Sequence, residues 1–177
     1  MKLWKLILPF LLFLIIALII IVNLPLYPLK HQNLISDTAK AYGVESSLIA
    51  AVIYAESCFE EKAVSEKGAL GLMQIMPQTA KWLCEQLSID FDEKKLLEKE
   101  YNLNLGIYYL SYLIEKFRDT KTALCAYNAG EGNVQKWLFQ TKYSQNQTIL
   151  EYTPFHETNK YCKNVLKAQK YYKKFFD

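Results

Sequence analysis

The sequence predicts an all-α protein in which one helical domain follows a single transmembrane helix, and three observations predict it. An unbroken apolar run of seventeen residues, Leu6 to Val22, stands near the amino terminus. Beyond it, apolar side chains recur at spacings of three and four. Leu103, Ile107, Leu110 and Ile114 show this most plainly, on one helix face. No segment alternates as a strand would, and no internal repeat is present. At 177 residues, 51% of them hydrophobic, the chain can bury one proper core and carry an appendage.

Residues 1–5 hold Lys2 and Lys5 and are expected on the cytoplasmic side. Residues 6–24 are expected to form an uncleaved signal-anchor. Seventeen residues rising about 1.5 Å each fall slightly short of a hydrocarbon core of about 30 Å, and Leu24 extends the contact. A cleaved signal peptide is the competing reading. The run is longer than the usual ~7–15-residue hydrophobic region, and neither an A-x-A-like site nor a lipid-accepting cysteine follows it. Residues 25–32 form a linker stiffened by Pro25 and Pro28, and residues 33–177 form the domain, placed outside the cytoplasm.

Within the domain, a first helix is expected from Asn33 to Tyr42, stopped by Gly43. Ser46 or Ser47 can cap a second, which runs through Leu48 to Ala55 with no polar side chain except the Tyr54 hydroxyl. Pro77 suits the first turn of a third, carrying Trp82 and Leu83. Asp92 to Glu100 reads as a solvated helix, and Tyr101 to Phe117 as a longer one with a core face. Asp119 or Thr120 opens the next, which ends at Gly130, and Val134 and Trp137 lie on a short helix after it. Gln140 to Tyr152 is polar and irregular, a flexible loop by composition. Thr153-Pro154 starts the last helix, where Lys160, Lys163, Lys167, Lys170 and Lys174 form one stripe. Tyr161, Val165, Ala168, Tyr172 and Phe175 form another.

The stretch from Glu56 to Ala80 carries the chemistry. A helix apolar on every side belongs in a core, so Glu56 sits where a buried rod meets a cleft or the surface. Desolvation and the negative end of the helix dipole both disfavour its anion and raise its pKa. A carboxyl kept protonated near neutral pH is what acid catalysis of glycosidic cleavage needs. Gly68 and Gly71 imply tight turning or close approach to a ligand, and Gln74 is a lone amide in an apolar run. A bland alternative stands beside this one: two helices, a loop and a capped surface glutamate.

The segments Glu56-Ser57-x-Phe59, Ala63-x-Ser65 and Gly68-Ala69-x-Gly71-Leu72-Met73-Gln74-Ile75-Met76-Pro77 resemble the signature of soluble-lytic-transglycosylase-type domains. Three later segments follow in the family's order: Asn104-Leu105-Gly106 with Tyr109-Leu110, Ala126 to Gly130 with Val134, and Pro154 to Thr158 with Tyr161. The resemblance covers Leu34 to Val165 and implies a lysozyme-like fold of the goose-type kind. It also implies cleavage of peptidoglycan glycan strands between N-acetylmuramic acid and N-acetylglucosamine, without water, to a 1,6-anhydro sugar. Glu56 would be acid and then base. Ser57 and Gln74 would orient the acid or the sugar, Tyr127 and Asn128 would line the cleft, and Tyr161 would approach Glu56 or the acetamido group. Met73 and the Gly71 backbone would form the floor. For Tyr127 and Tyr161 core packing is an equal alternative. Glu61, where the family commonly has proline, and Cys58, beside Glu56, depart from the pattern. Glu60 and Glu61 are positioned to raise the pKa of Glu56 by like charge.

No metal or cofactor is implied. Lys2 and Lys5 supply two of the three net positive charges, so nothing supports nucleic-acid binding. Cys58, Cys84, Cys125 and Cys162 match no zinc spacing and are expected as free buried thiols, a Cys58 pairing being the alternative. Neither His31 nor His156 is expected to be catalytic. Two alternatives to the transglycosylase stay open: a muramidase of the same fold that uses water, and a non-catalytic wall-binding or scaffold module. An envelope-spanning secretion or conjugation machine, which needs a gap in the wall, is a candidate client.

Overall fold

A computed structural model describes residues 9–15 and 27–176. Residues 9–15 are helical and exposed. The expected anchor, residues 6–24, otherwise lies outside the described residues, as do residues 1–5. Among the described residues no helix is long and apolar enough to cross a membrane.

The domain is a bundle of α1 (Gln32–Ala41), α2 (Ser46–Ser57), α3 (Pro77–Leu87), α4 (Lys99–Phe117), α5 (Thr120–Ala129), α6 (Glu131–Leu138) and α7 (His156–Phe176). A 3₁₀ turn at Glu93–Leu97 precedes α4. The described residues contain no strand, only isolated bridges from Leu70 to Val64 and to Ile75.

Helix α2 is the axis. Every residue from Ser47 to Ile53 is buried, so the rod has neighbours on all sides. Its most extensive partner is α7, whose Tyr161, Val165, Ala168 and Tyr172 are buried while the five lysines of the stripe are exposed. Phe175, expected on the apolar face, is 46% exposed. Helix α1 covers α2 on another side, α4 lies against α5, and α5 packs on both α6 and α7.

Several boundaries differ from expectation for identifiable reasons. Glu45, not a serine, occupies the N-cap of α2, and no side chain caps that helix. Ser47 is drawn into the core of the first turn. Asp92 to Glu100 is not one solvated helix. Asp92 caps the 3₁₀ turn through Lys94 N–H, and Leu96 is fully buried beneath it, which breaks the chain before α4. Helix α7 starts two residues past Pro154, where Asn159 accepts from Thr153 N–H at 2.8 Å and donates to Thr153 C=O at 2.7 Å. The segment from Gln140 to Tyr152 is irregular but tied down. Leu150 is buried, its N–H donates to Thr122 Oγ1 at 3.0 Å, and Lys121 donates to Glu151 C=O.

The linker residues within the description are held by aromatic contacts. Tyr27 packs edge-on against Tyr54 at 4.6 Å and beside Tyr171 at 4.9 Å, and Tyr172 Oη donates to Pro28 C=O at 3.1 Å. Glu61 meets His31 at 3.2 Å, which joins the linker to the loop after α2.

Candidate active site

The site begins where α2 stops. Cys58 and Phe59 both adopt left-handed backbone, φ 50° and 65°, and Cys58 N–H closes the last turn on Tyr54 C=O. Such a conformation is costly for residues other than glycine. The Phe59 side chain is only 2% exposed, and burying an aromatic ring offsets the strain while holding the bend. Ser57 strengthens the junction, its hydroxyl lying 2.8 Å from Leu72 C=O and 3.2 Å from Ile53 C=O. Glu56 is thereby fixed where it lines a cleft of about 610 Å³.

One wall of the cleft is the loop from Ser65 to Met76, and Asn102 on α4 holds that loop from behind. The buried Asn102 amide accepts from Met73 N–H at 2.8 Å and donates to Leu70 C=O and Leu96 C=O, each at 2.8 Å. Gly71 is required here: at φ 75°, a Cβ would lie 2.3 Å from Leu96 O and 2.4 Å from Asn102 Nδ2. Met73 is fully buried against Gly106, where a Cβ would meet its sulfur at 2.5 Å. Gly71 and Met73 therefore lie behind the cleft surface and do not form its exposed floor, because their neighbours on α4 enclose them. Ser57 is likewise committed to backbone carbonyls.

Gln74 does line the cleft. Its amide nitrogen donates to Gly71 C=O at 2.9 Å and Ala63 C=O at 3.2 Å, which leaves its oxygen as a free acceptor. The opposite wall comes from α5 and α7. Tyr127 donates to Met73 C=O at 2.8 Å and packs on Tyr109 at 5.3 Å. Asn128 accepts from Thr158 Oγ1 at 2.8 Å, so its amide N–H groups remain to donate. Phe155 adds a ring 49% exposed, backed edge-on by Trp137.

Electrostatics sets the state of the central carboxyl. Burial is the main cause that pushes the pKa of Glu56 from 4.5 up to about 7. The Tyr161 hydroxyl pulls it down, and the Glu157 carboxylate raises it. That Tyr161 oxygen is buried without a hydrogen-bond partner of normal geometry, and it lies near enough to Glu56 to favour the carboxylate. Burial and the nearby Glu56 also keep both Tyr127 and Tyr161 protonated far above neutral pH. The like charge expected from Glu60 and Glu61 is supplied instead by Glu157, which lines the same cleft. The chain turns away after Cys58 and carries the other two elsewhere: Glu61 faces His31, and Glu60 accepts from Lys62 N–H at 3.3 Å.

The sequence alone assigns no role to Asn102 or Glu157. An uncharged amide among the leucines of α4 was the available signal for Asn102, by the reasoning applied to Gln74. For Glu157 the signal was its place four residues before Tyr161, on one helix face.

The chain is similar to known proteins over most of its length. The sequence model of the transglycosylase SLT domain matches residues 33–150. The soluble lytic murein transglycosylase of Salmonella typhimurium is 37% identical over 153 residues, 84% of this chain and 24% of that protein. The membrane-bound lytic murein transglycosylase C of Actinobacillus pleuropneumoniae is 31% identical over 166 residues, 81% of this chain and 46% of its own. An inactive glutamate-to-glutamine mutant of the lytic transglycosylase Slt from Pseudomonas aeruginosa superposes with a TM-score of 0.73 at 36% identity. That match covers 84% of this chain and 25% of the other. The chain thus spans about a quarter of the soluble relatives it matches.

The pKa of Glu56 has a consequence for stability. Its folded value, about 7, lies above its unfolded value near 4.5, so the native state holds this proton more tightly. Stability is therefore lost as pH rises through that window. Allowing for partial exposure, Glu56→Gln is expected to stabilise the fold by about 1–3 kcal/mol at pH 8, with the difference shrinking to nothing near pH 4. Urea denaturation of both proteins at the two pH values checks this. Equal stability at both would show an unperturbed carboxyl.

Proposed function

The chain belongs to the transglycosylase SLT domain family, and from that premise we propose that it is a peptidoglycan lytic transglycosylase with Glu56 as acid and then base. The observation that carries the reading is a half-buried carboxyl whose pKa lies near 7, lining a cleft with polar groups on both walls. At that value the group is protonated often enough to donate and basic enough to accept.

In the first step, Glu56 gives its proton to the oxygen joining N-acetylmuramic acid to N-acetylglucosamine, and that bond breaks. The 2-acetamido oxygen of the muramic acid stabilises C1 as positive charge develops. The new Glu56 carboxylate then takes the proton of the C6 hydroxyl of the same sugar, whose oxygen closes on C1. The ring product is a 1,6-anhydro sugar, and Glu56 ends protonated as it began. Gln74 Oε1 and the Asn128 amide supply an acceptor and a donor for the sugar's polar groups, and Phe155 supplies an apolar face. Tyr161 O–H stabilises the carboxylate between the two steps, when its negative charge is greatest.

A hydrolase of the same fold is the second reading, favoured by Glu157, a second carboxylate in the cleft. A wall-binding module that cuts nothing gains no support. Holding a carboxyl near 7 costs stability, and binding alone does not need it.

Purified peptidoglycan digested by the protein is expected to yield muropeptides ending in 1,6-anhydro-muramic acid. Glu56→Gln should lower their formation by at least about 10³-fold, and the rate should fall as pH rises above 7. Mass spectrometry reads the ends directly. Reducing muramic ends, lost in Glu157→Gln, would replace the transglycosylase with the hydrolase.

The same proposal places the domain outside the cytoplasm, anchored by residues 6–24. The apolar run, Lys2 and Lys5 support the anchor, and a membrane-bound relative is consistent with it. With Tyr27 docked on the domain, only residues 23–26 separate it from the run, a reach of no more than about 18 Å. The full chain should remain in membranes after an alkaline carbonate wash, and a chain lacking residues 6–22 should not. Release of the full chain by carbonate would remove the anchor from the account.

A further inference from the structure

The two thiols behind the cleft have no part in the reaction, and their placement is unlike that of the other cysteines. Cys125 on α5 and Cys162 on α7 are 37 residues apart in sequence, each 1% exposed, with their sulfurs 3.1 Å apart. That separation lies inside ordinary sulfur–sulfur contact and about 1 Å beyond a covalent bond. Cys84 is buried too, but its sulfur faces the Tyr101 hydroxyl at 3.1 Å, and Cys58 is exposed. Only Cys125 and Cys162 face each other.

From this juxtaposition we infer that Cys125 and Cys162 are a disulfide-forming pair that covalently joins the two helices forming the α5–α7 wall of the cleft. Cys125 stands two residues before Tyr127 on α5, and Cys162 follows Tyr161 on α7. Asn128 and Thr158 bridge the same helices by a hydrogen bond at 2.8 Å. The disulfide is a second bridge about one turn away on each helix. Both together fix Tyr127 and Asn128 relative to Glu157, Thr158 and Tyr161.

The oxidant is a disulfide, either a small molecule such as oxidised glutathione or a protein. The Cys125 thiolate attacks one of its sulfurs, forming a mixed disulfide and expelling one thiolate. Cys162 then attacks the Cys125 sulfur, closes the bond and expels the second thiolate. Two protons pass from the pair to the departing groups, the oxidant is reduced by two electrons, and the pair is oxidised by two. The hydrogen bond from Cys162 and the nearby Lys121 ammonium lower the pKa of Cys125, which suits it to attack first. Burial means that the exchange takes place while the chain is folding or transiently open.

The test uses the full chain in glutathione buffers from reduced to oxidised, with urea at the unfolding midpoint so that the thiols are reached. After acid quenching, alkylation and digestion without reductant, the oxidised sample should give a linked peptide joining Cys125 to Cys162. Its mass is about 2 Da below that of the two free peptides. Cys58 and Cys84 should be alkylated. Returned to buffer, the oxidised protein should melt about 10 °C higher than the reduced one, a shift that Cys125→Ala and Cys162→Ala each abolish. Alkylation of both Cys125 and Cys162 in the most oxidising buffer would overturn the inference, as would pairing of either with Cys58. Neither readout depends on the glycan reaction, so the pair and the proposed activity can fail separately.

Discussion

Everything in this structure answers to one costly placement: a carboxyl group at the end of a helix with no solvent-facing side for most of its length. Seven consecutive residues of α2 are buried before Glu56 appears. An apolar rod of this kind has no stable place except the centre of a bundle, and α1 and α7 enclose it. The carboxyl inherits the core's low polarity at its back and the cleft's openness in front. Desolvation then raises its pKa without any catalytic partner being needed. The left-handed turn at Cys58 and Phe59 and the Ser57 hydroxyl stop the chain abruptly and hold that position.

The rest of the cleft is built by satisfying backbone polar groups. A loop of tight turns beside a core exposes carbonyls and N–H groups that water cannot reach, and each needs a partner. Asn102 supplies three bonds, Gln74 two and Tyr127 one, all to the chain between Ala63 and Leu96. With the Thr158–Asn128 bond they leave a defined remainder, the Gln74 oxygen and the Asn128 amide hydrogens, in the cleft that Glu56 lines. Binding capacity is what the scaffold does not use itself. Such a site is shaped by the fold before any ligand arrives.

Much of this was readable from residues alone, and the missing parts share one cause. The fully apolar run before Glu56 defines a core helix at any level of description. The lone amide of Gln74 within Leu72 to Met76 marks a polar need. The α7 division into lysine and aromatic stripes follows from helical period. Contacts that depend on where distant segments meet were not legible. Nothing local says that Gly71 abuts Leu96 and Asn102, that Met73 turns inward onto Gly106, or that Glu157 reaches the cleft while nearby Glu60 and Glu61 leave it. Which way the Ser57 hydroxyl turns is set by the same distant contacts: it bonds Leu72 C=O and Ile53 C=O behind Glu56. Leu96 looked solvated among charged neighbours until α3 and α4 closed over it.

The central claim is that burial holds the proton of Glu56 near neutral pH, and its titration tests that most directly. With glutamate carboxyls labelled with ¹³C, the one resonance absent from Glu56→Gln identifies the group. A midpoint near 7, moving upward in Tyr161→Phe and downward in Glu157→Gln, is the result the structure predicts. A midpoint near 4.5 in the native protein would contradict it. The carboxyl would then be an ordinary solvated anion, and the proposed proton donation would have to come from another group.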